Sequence, residues 1–387
     1  MKTKNAVEIM IRELVDAGRL AGAATLEWRN GKVVHTTAVG LRHLINERPV
    51  ERDTIFRIAS MTKPVTTVAA LILLDEGKFA LDDPIEICAP ELAHLRVLRD
   101  PEGPLDAPDE ARRSITFRDL LTHRSGLTYG DFHRGPVGRA YRETLGATID
   151  NPLTPDEWIA RVATLPLVDQ PGAGFHYGIS TDLLGFLIAR LDGESLGEVL
   201  ARRLFAPLGM RDTGFVVSRE KRDRRAALCG FDDDGRLTSL TAAPGRQALQ
   251  ERPDDMTFES GGQGLWSTLD DYLVFARMLL RDPEVPALLR RETLALMTSN
   301  QLTRATRRGS DVWSIDLRRR PRLWHGRGCR PRTRQGGPHA VPGRCGHNWV
   351  AWRVRRLVAG RPERSIGADL PVAQHARTVA DDARDRS

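Results

Sequence analysis

The stretch "RIASMTKPVTTVAALILLDEG", residues 57–77, constrains this chain more than any other. It predicts a helix from Met61 to Glu76, with Pro64 in the first turn, where a missing N–H costs little, and Gly77 at the C-cap. Apolar residues lie on nearly all sides, so the helix must be buried between other layers. Ser60 then falls at the N-terminus of a buried helix, where free N–H groups and the positive dipole end favour an anion. A serine there can attack a carbonyl while its own N–H helps to hold the developing oxyanion. Lys63 is one turn later on the same face and can reach that hydroxyl as a proton acceptor, or as a charge favouring ionisation of a neighbour. The bland alternative is an N-cap serine followed by a surface lysine. The same spacing recurs at Ser218–Lys221, but in the uniformly charged "SREKRDRR", where a solvated loop is expected. That copy is read as incidental.

Around this helix the pattern is mixed. Residues 6–18 read as an opening helix, and "AATLEWRNGKVVHTTAVG" as two strands joined at Asn30-Gly31, a strong hairpin signal. "DTIFRIAS" is a further short strand. "FRDLLTHRSGLTY" (117–129) predicts a short helix ending in a turn at Ser125-Gly126, and residues 155–165 and 181–208 predict helices, the latter broken at Gly193. "ESGGQGLWSTLDDYLVFARMLL" (259–280) is a glycine-rich loop feeding an amphipathic helix. The order suggests a split α/β domain, its α/β part at about 1–78 and 262–310, with a mostly helical insertion at about 79–261. Segments 130–150 and 230–258 read as the loops that shape a substrate site. For such a sheet to close, strands must come after residue 300.

A second constellation is "PGAGFHYGISTDLLG", residues 171–185. Tyr177 lies between a rigid turn and a helix start, so its hydroxyl can be aimed inward. A phenol beside a lysine ammonium is driven toward phenolate. Tyr177 is therefore a candidate general base for Ser60 and later the acid for the leaving group. The alternative is an ordinary half-buried tyrosine, and His176 beside it reads as structural.

"SMTK" entering a buried helix, "RDLLTHRSGL", "YGISTDLLG" and "SGGQGLWSTLDDYLVFARMLL" occur in this order between about residues 5 and 300. Together they resemble the serine hydrolases related to class C β-lactamases and penicillin-binding proteins, most closely the family VIII carboxylesterases. The resemblance implies a β-lactamase-like α/β fold: an antiparallel sheet flanked by helices, with a mostly helical inserted domain. It implies acylation of Ser60, with Lys63 and Tyr177 as the proton-transfer pair, and substrate binding at Gly261 and Gly262. Relatives that act on lactams usually read Tyr-x-Asn, the asparagine binding an amide. This chain has Ile179 at that place, and a site built to pair an amide loses heavily without its partner. A small-molecule ester is the expected substrate. A β-lactamase or D-amino-acid peptidase, and a non-catalytic binding domain, are the alternatives. Neither metal nor organic cofactor is implied, no membrane span is expected, and four scattered cysteines suit a reducing cytoplasm. Oligomeric state is left open.

The net charge of +7 does not indicate a nucleic-acid partner. From residue 301 on there are 20 Arg, no Lys and 7 acidic residues, a surplus of 13 that leaves the first 300 residues at −6. The basicity belongs wholly to this C-terminal stretch, and in the tail, 311–387, Arg and Pro dominate and suit no sheet. The family's third motif, often W-x-G or H-x-G in esterases, should stand there on a strand. Permissible codons for "NWVAWRVRRLVAGRPERSIGADLPV", read one base later, allow "GWHGAFGGWWQADPNDRSVLIFL", a W-H-G followed by an alternating apolar strand. The tail is accordingly expected to be a shifted reading that leaves the closing strands missing or aberrant, against the alternative of a basic tail on a complete domain. Sequencing the gene across the codons for residues 308–320 should find a one-base switch. A verified unbroken frame would end the idea.

Overall fold

The computed structural model describes residues 6–106, 108–133 and 135–302; the expected aberrant tail lies outside them. After helix α1 (Ala6–Asp16), strands β1 (Gly22–Arg29) and β2 (Lys32–His43) form an antiparallel hairpin. Its turn is closed by Asn30 (φ 52°) and Gly31 (φ 81°), the paired positive φ values that match the right-handed twist of the strands. Short β3 (Arg48–Pro49) pairs with the other edge of β2, giving the order β1-β2-β3. Because successive strand residues face opposite ways, Ala23 packs with Ile11 of α1 on one face, and Ala24 packs with Val50, Phe56 and Leu269 on the other. The sheet is thus covered by α1 on one side and by the start of the Leu269–Leu279 helix on the other. This is the expected β-lactamase-like arrangement of antiparallel strands and flanking helices.

Strand β4 (Phe56–Arg57) is only two residues long and pairs with Trp266–Ser267. That pairing sets the nucleophile segment beside the 260–264 glycine loop. Helix α2 (Thr62–Asp75) follows, buried almost throughout from Thr62 to Leu73 and ended by Gly77 at φ 74°. It is buried because α6 (Ser180–Asp192) lies along it. One apolar core unites Val65, Val68 and Leu73 of α2 with Phe117 and Leu120 of α3 (Phe117–Leu121), Trp158 and Ile159 of α5 (Pro155–Val162), and Leu183 and Leu187 of α6. This core runs across the expected boundary at residue 79.

Three local readings differ from the structure. The 117–129 segment is helical only over α3, which a Thr116–Asp119 capping box starts and His123, at φ 53°, ends. Beyond it the chain bends at Ser125-Gly126 as expected, with Gly126 at φ 81°, and Ser125 Oγ accepts from Leu127 N–H and meets Ser180 Oγ at 2.9 Å. The 181–208 segment does break at Gly193, but then runs as α7 (Leu196–Leu200), a π-turn at Ala201–Phe205 and one last turn at Ala206–Leu208. Within the expected 130–150 loop lies a true helix, α4 (Pro136–Leu145). Pro136 opens it, and Val137, Tyr141 and Leu145, one turn apart each, are buried on one face.

The loop bearing Tyr177 approaches the 125–129 segment at Gly178, where an added Cβ would lie 2.5 Å from Thr128 Cα. The neighbour is backbone and cannot swing aside. Gly178→Ala should therefore cost about 1–3 kcal/mol of stability, as overpacking usually does. Urea unfolding checks this: the midpoint should fall with the slope unchanged, and an unmoved midpoint would refute the close approach.

Candidate active site

The site is built where four chain segments meet. Ile58 N–H bonds Leu265 O at 3.0 Å, and Leu265 N–H bonds Thr62 Oγ1 at 3.2 Å, so the start of α2 is stapled to the glycine loop. Between them Ala59–Met61 form a tight 3₁₀ turn with Ala59 at φ 44°, a left-handed conformation costly for a residue with a Cβ. Ser60 is not an N-cap: it sits inside this strained turn, and its hydroxyl stands out from the helix end.

Two groups reach that hydroxyl. Tyr177 OH lies 3.0 Å from Ser60 Oγ, and Lys63 Nζ lies 3.4 Å from it. Lys63 is 8 % exposed, which rules out the surface-lysine alternative. Its Nζ also donates to Tyr129 OH at 3.2 Å and to Gly262 O at 3.0 Å, and it lies 4.7 Å from the centre of the Tyr177 ring. Tyr177, 117 residues away in sequence, is thus brought together with Ser60 and Lys63.

Gly261 and Gly262 stand beside them with their polar groups turned inward. Gly261 O accepts from Thr66 Oγ1, while Gly262 donates its N–H to Asp182 and gives its carbonyl to Lys63. Only glycine fits: a Cβ on residue 261 would meet Thr181 O at 2.8 Å, and on residue 262 Asp182 Oδ2 at 2.5 Å. The backbone groups named here support the lysine and Asp182.

Tyr177 is aimed by its neighbours. Gly172 turns the chain at φ 85°, His176 N–H bonds His123 O at 2.7 Å, and His176 Nε2 pairs with Asp169 at 3.0 Å. The phenol ring packs against His123, Tyr129 and Phe132, with centroids 4.9, 5.8 and 6.2 Å away. Ile179, which ends this loop, is buried in the core. His176 has the structural place expected of it.

Four residues of this neighbourhood escaped sequence reasoning: His123, Tyr129, Asp182 and Gln263. Tyr129 ends the "HRSGLTY" segment, and Gln263 Nε2 reaches its hydroxyl at 3.4 Å. Asp182 is 2 % exposed at the start of a mostly apolar helix run, and only its place before "LLGFLI" could have signalled it. As a first-turn acid it has an ordinary explanation in the helix dipole, so the sequence does not single it out. His123 is held differently. Its Nδ1 is buried without a hydrogen-bond partner, and burial, aided by the Lys63 charge, pushes the imidazole down to about 3.

A second buried charge group braces the rim. Arg57 donates to Asp150 Oδ2 at 2.7 Å and to Leu249 O at 2.9 Å, and its guanidinium lies 4.4 Å from the Trp266 ring centre. It ties the segments around 150 and 249 to β4, the strand that leads into the Ser60 turn.

The family model described as Beta-lactamase matches residues 7–338. The chain belongs to the beta-lactamase family. Members of this family are serine hydrolases, esterases and acyltransferases. Among relatives, Protein Rv1367c of Mycobacterium tuberculosis is 42% identical over 82% of this chain and 75% of its own length. Esterase EstB of Burkholderia gladioli is 33% identical over 66% of this chain and 64% of its own. Among solved structures, that of EstCE1, titled a hydrolase with promiscuous acyltransferase activity, superposes with a TM-score of 0.63 at 27% identity, covering 76% of each chain.

His123 makes a checkable linkage. Its folded-state pKa lies below the unfolded value of about 6.5, so the native state binds fewer protons and stability rises with pH through that window. The stability contribution is complete above the unfolded pKa and is lost as pH falls toward 3. Between pH 6 and 4 the folding equilibrium constant should lose up to about tenfold per unit from this residue. Urea midpoints of wild type and His123→Phe, compared over that range, test it; equal pH slopes would contradict it.

Proposed function

We propose that this chain is a serine ester hydrolase that works through an acyl-enzyme on Ser60. The observation that carries the reading is the convergence of the Tyr177 hydroxyl and the Lys63 amine on one serine oxygen at a helix start. The phenolate form of Tyr177 takes the Ser60 proton as Oγ bonds to the ester carbon. It returns that proton to the departing alcohol as the ester C–O bond breaks. In the second half Tyr177 takes a proton from water, whose oxygen attacks the acyl carbon, and Ser60 leaves with the proton restored. Ser60 N–H, ahead of the first 3₁₀ hydrogen bond from Met61 to Ile58, serves as one oxyanion donor. In the family the second donor comes from the third motif, which the expected shift of the tail would take from this chain. Lacking one such donor costs about 100- to 1,000-fold in turnover.

Ile179 favours an ester over a lactam, because nothing at its position pairs an amide. Acyl transfer to an alcohol is the second reading. Phe132, 43% exposed beside Tyr129 and Tyr177, offers an apolar lip on which an organic alcohol can displace water. Cys88 and Cys229 are free thiols, which suits a reducing compartment such as the cytoplasm.

A fluorophosphonate should add to the peptide holding Ser60, seen by intact mass and peptide mapping, and Ser60→Ala should abolish the adduct. No label on folded protein, or label elsewhere, would overturn the assignment. Turnover of p-nitrophenyl butyrate should exceed that of a chromogenic cephalosporin, the reverse order pointing to a lactamase. Tyr177→Phe and Lys63→Ala should each lower kcat by about 10²- to 10⁴-fold.

A further inference from the structure

The polar network does not stop at Lys63. Tyr129 OH, which accepts from Lys63 Nζ at 3.2 Å, is 3.5 Å from Asp182 Oδ2 and donates to it. The other carboxylate oxygen of Asp182 accepts from Ser260 Oγ and from Gly262 N–H. Each of these neighbours offers Asp182 a hydrogen, the pattern that suits an ionised carboxylate. Burial raises Asp182 above the ordinary carboxylate range, and the Lys63 charge and the two hydrogen bonds from Ser260 and Gly262 oppose that rise.

Hydrogen counting then fixes what Lys63 can do. The Tyr129 hydrogen is committed to Asp182, so its oxygen meets Nζ with a lone pair. Gly262 O has only lone pairs to give. Two positions on Nζ must therefore be N–H. The third faces Ser60 and is an N–H in the ammonium or a lone pair in the neutral amine. Only in the second case can Lys63 take the Ser60 proton. The titratable groups that face Lys63 are His123 and Tyr129 from the 122–129 segment, Tyr177 from the loop before α6, and Asp182 from α6 itself. His123 is held neutral, so negative charge facing Lys63 can come only from a phenolate or from Asp182, the carboxylate to which Tyr129, Ser260 and Gly262 all present hydrogens.

We propose that Tyr129 and Asp182 are positioning residues that hold Lys63 as an ammonium, so that the Ser60 proton goes to Tyr177 and not to the lysine. Asp182 provides the counter-charge, and the Tyr129 hydroxyl carries its influence to Nζ. The proposal rests on the reading of Ser60 as nucleophile.

The test is the pH dependence of the rate at which a fluorophosphonate labels Ser60 in the full chain. Asp182→Asn keeps an acceptor oxygen for Ser260 and Gly262 but removes the charge. Tyr129→Phe keeps the ring and removes the bridge. In both, the alkaline limb of the labelling profile should move to lower pH, in Asp182→Asn by about one unit or more, a tenfold change in the relevant equilibrium. A merely structural role would slow labelling at every pH and leave the limb in place. That outcome, in variants whose circular dichroism matches wild type, overturns the proposal. Should Asp182→Asn not fold, Tyr129→Phe decides alone. Wild-type protein that takes no label at Ser60 would instead bring down the nucleophile reading, so the two failures are told apart.

Discussion

A buried ammonium must be surrounded by acceptors, and that requirement organises this structure. Removing a charged amine from water costs several kcal/mol unless its hydrogens are met. Lys63 meets this condition with oxygens from Ser60, Tyr129 and Gly262. Each comes from a different part of the chain, so the site exists only when α2, the 125–129 segment and the glycine loop are packed together. The apolar surface of α2 drives that packing, and the hydrogen bonds of the lysine amine give it one permitted register.

The same logic operates at the rim. Asp150, 4% exposed, is shared by Arg57 and Arg252, and its Oδ2 also accepts Leu249 N–H. Breaking such a group by removing one partner leaves an uncompensated charge, which is far costlier than the pair is stabilising. The segments at 148–150 and 247–252 are held by it to β4, three residues before the nucleophile. Thr148 in turn receives a hydrogen bond from Gln263, whose amide also touches Tyr129. Rim and nucleophile are therefore one connected polar structure laid over a continuous apolar core, which is how a strained turn at Ala59 can be kept in place.

Much of the frame was legible in the residues. The Asn30-Gly31 hairpin, the all-round apolar α2 and the Gly193 break each follow from local chemistry that tertiary contacts do not override. The 117–129 segment was less legible because Ser125 forgoes helix for bonds to Leu127 and Ser180, a choice visible only once α6 is alongside. Helix α4 was read as loop because its apolar residues, Val137, Tyr141 and Leu145, are few and spaced one turn apart among charged ones.

By itself the sequence determined that a serine stands at the head of a buried helix with a lysine in that helix's first turn, since the apolar run and its flanking Pro64 and Gly77 fix where the helix lies. It also placed Tyr177 on a turn before a helix. Tertiary structure alone decided that the phenol points at Ser60, that Tyr129 and Asp182 lie behind Lys63, and that Gly262 faces inward. Contacts between residues 60, 129, 177 and 262 depend on how separate elements stack, and that stacking is set by the shape of the common core rather than by any local pattern.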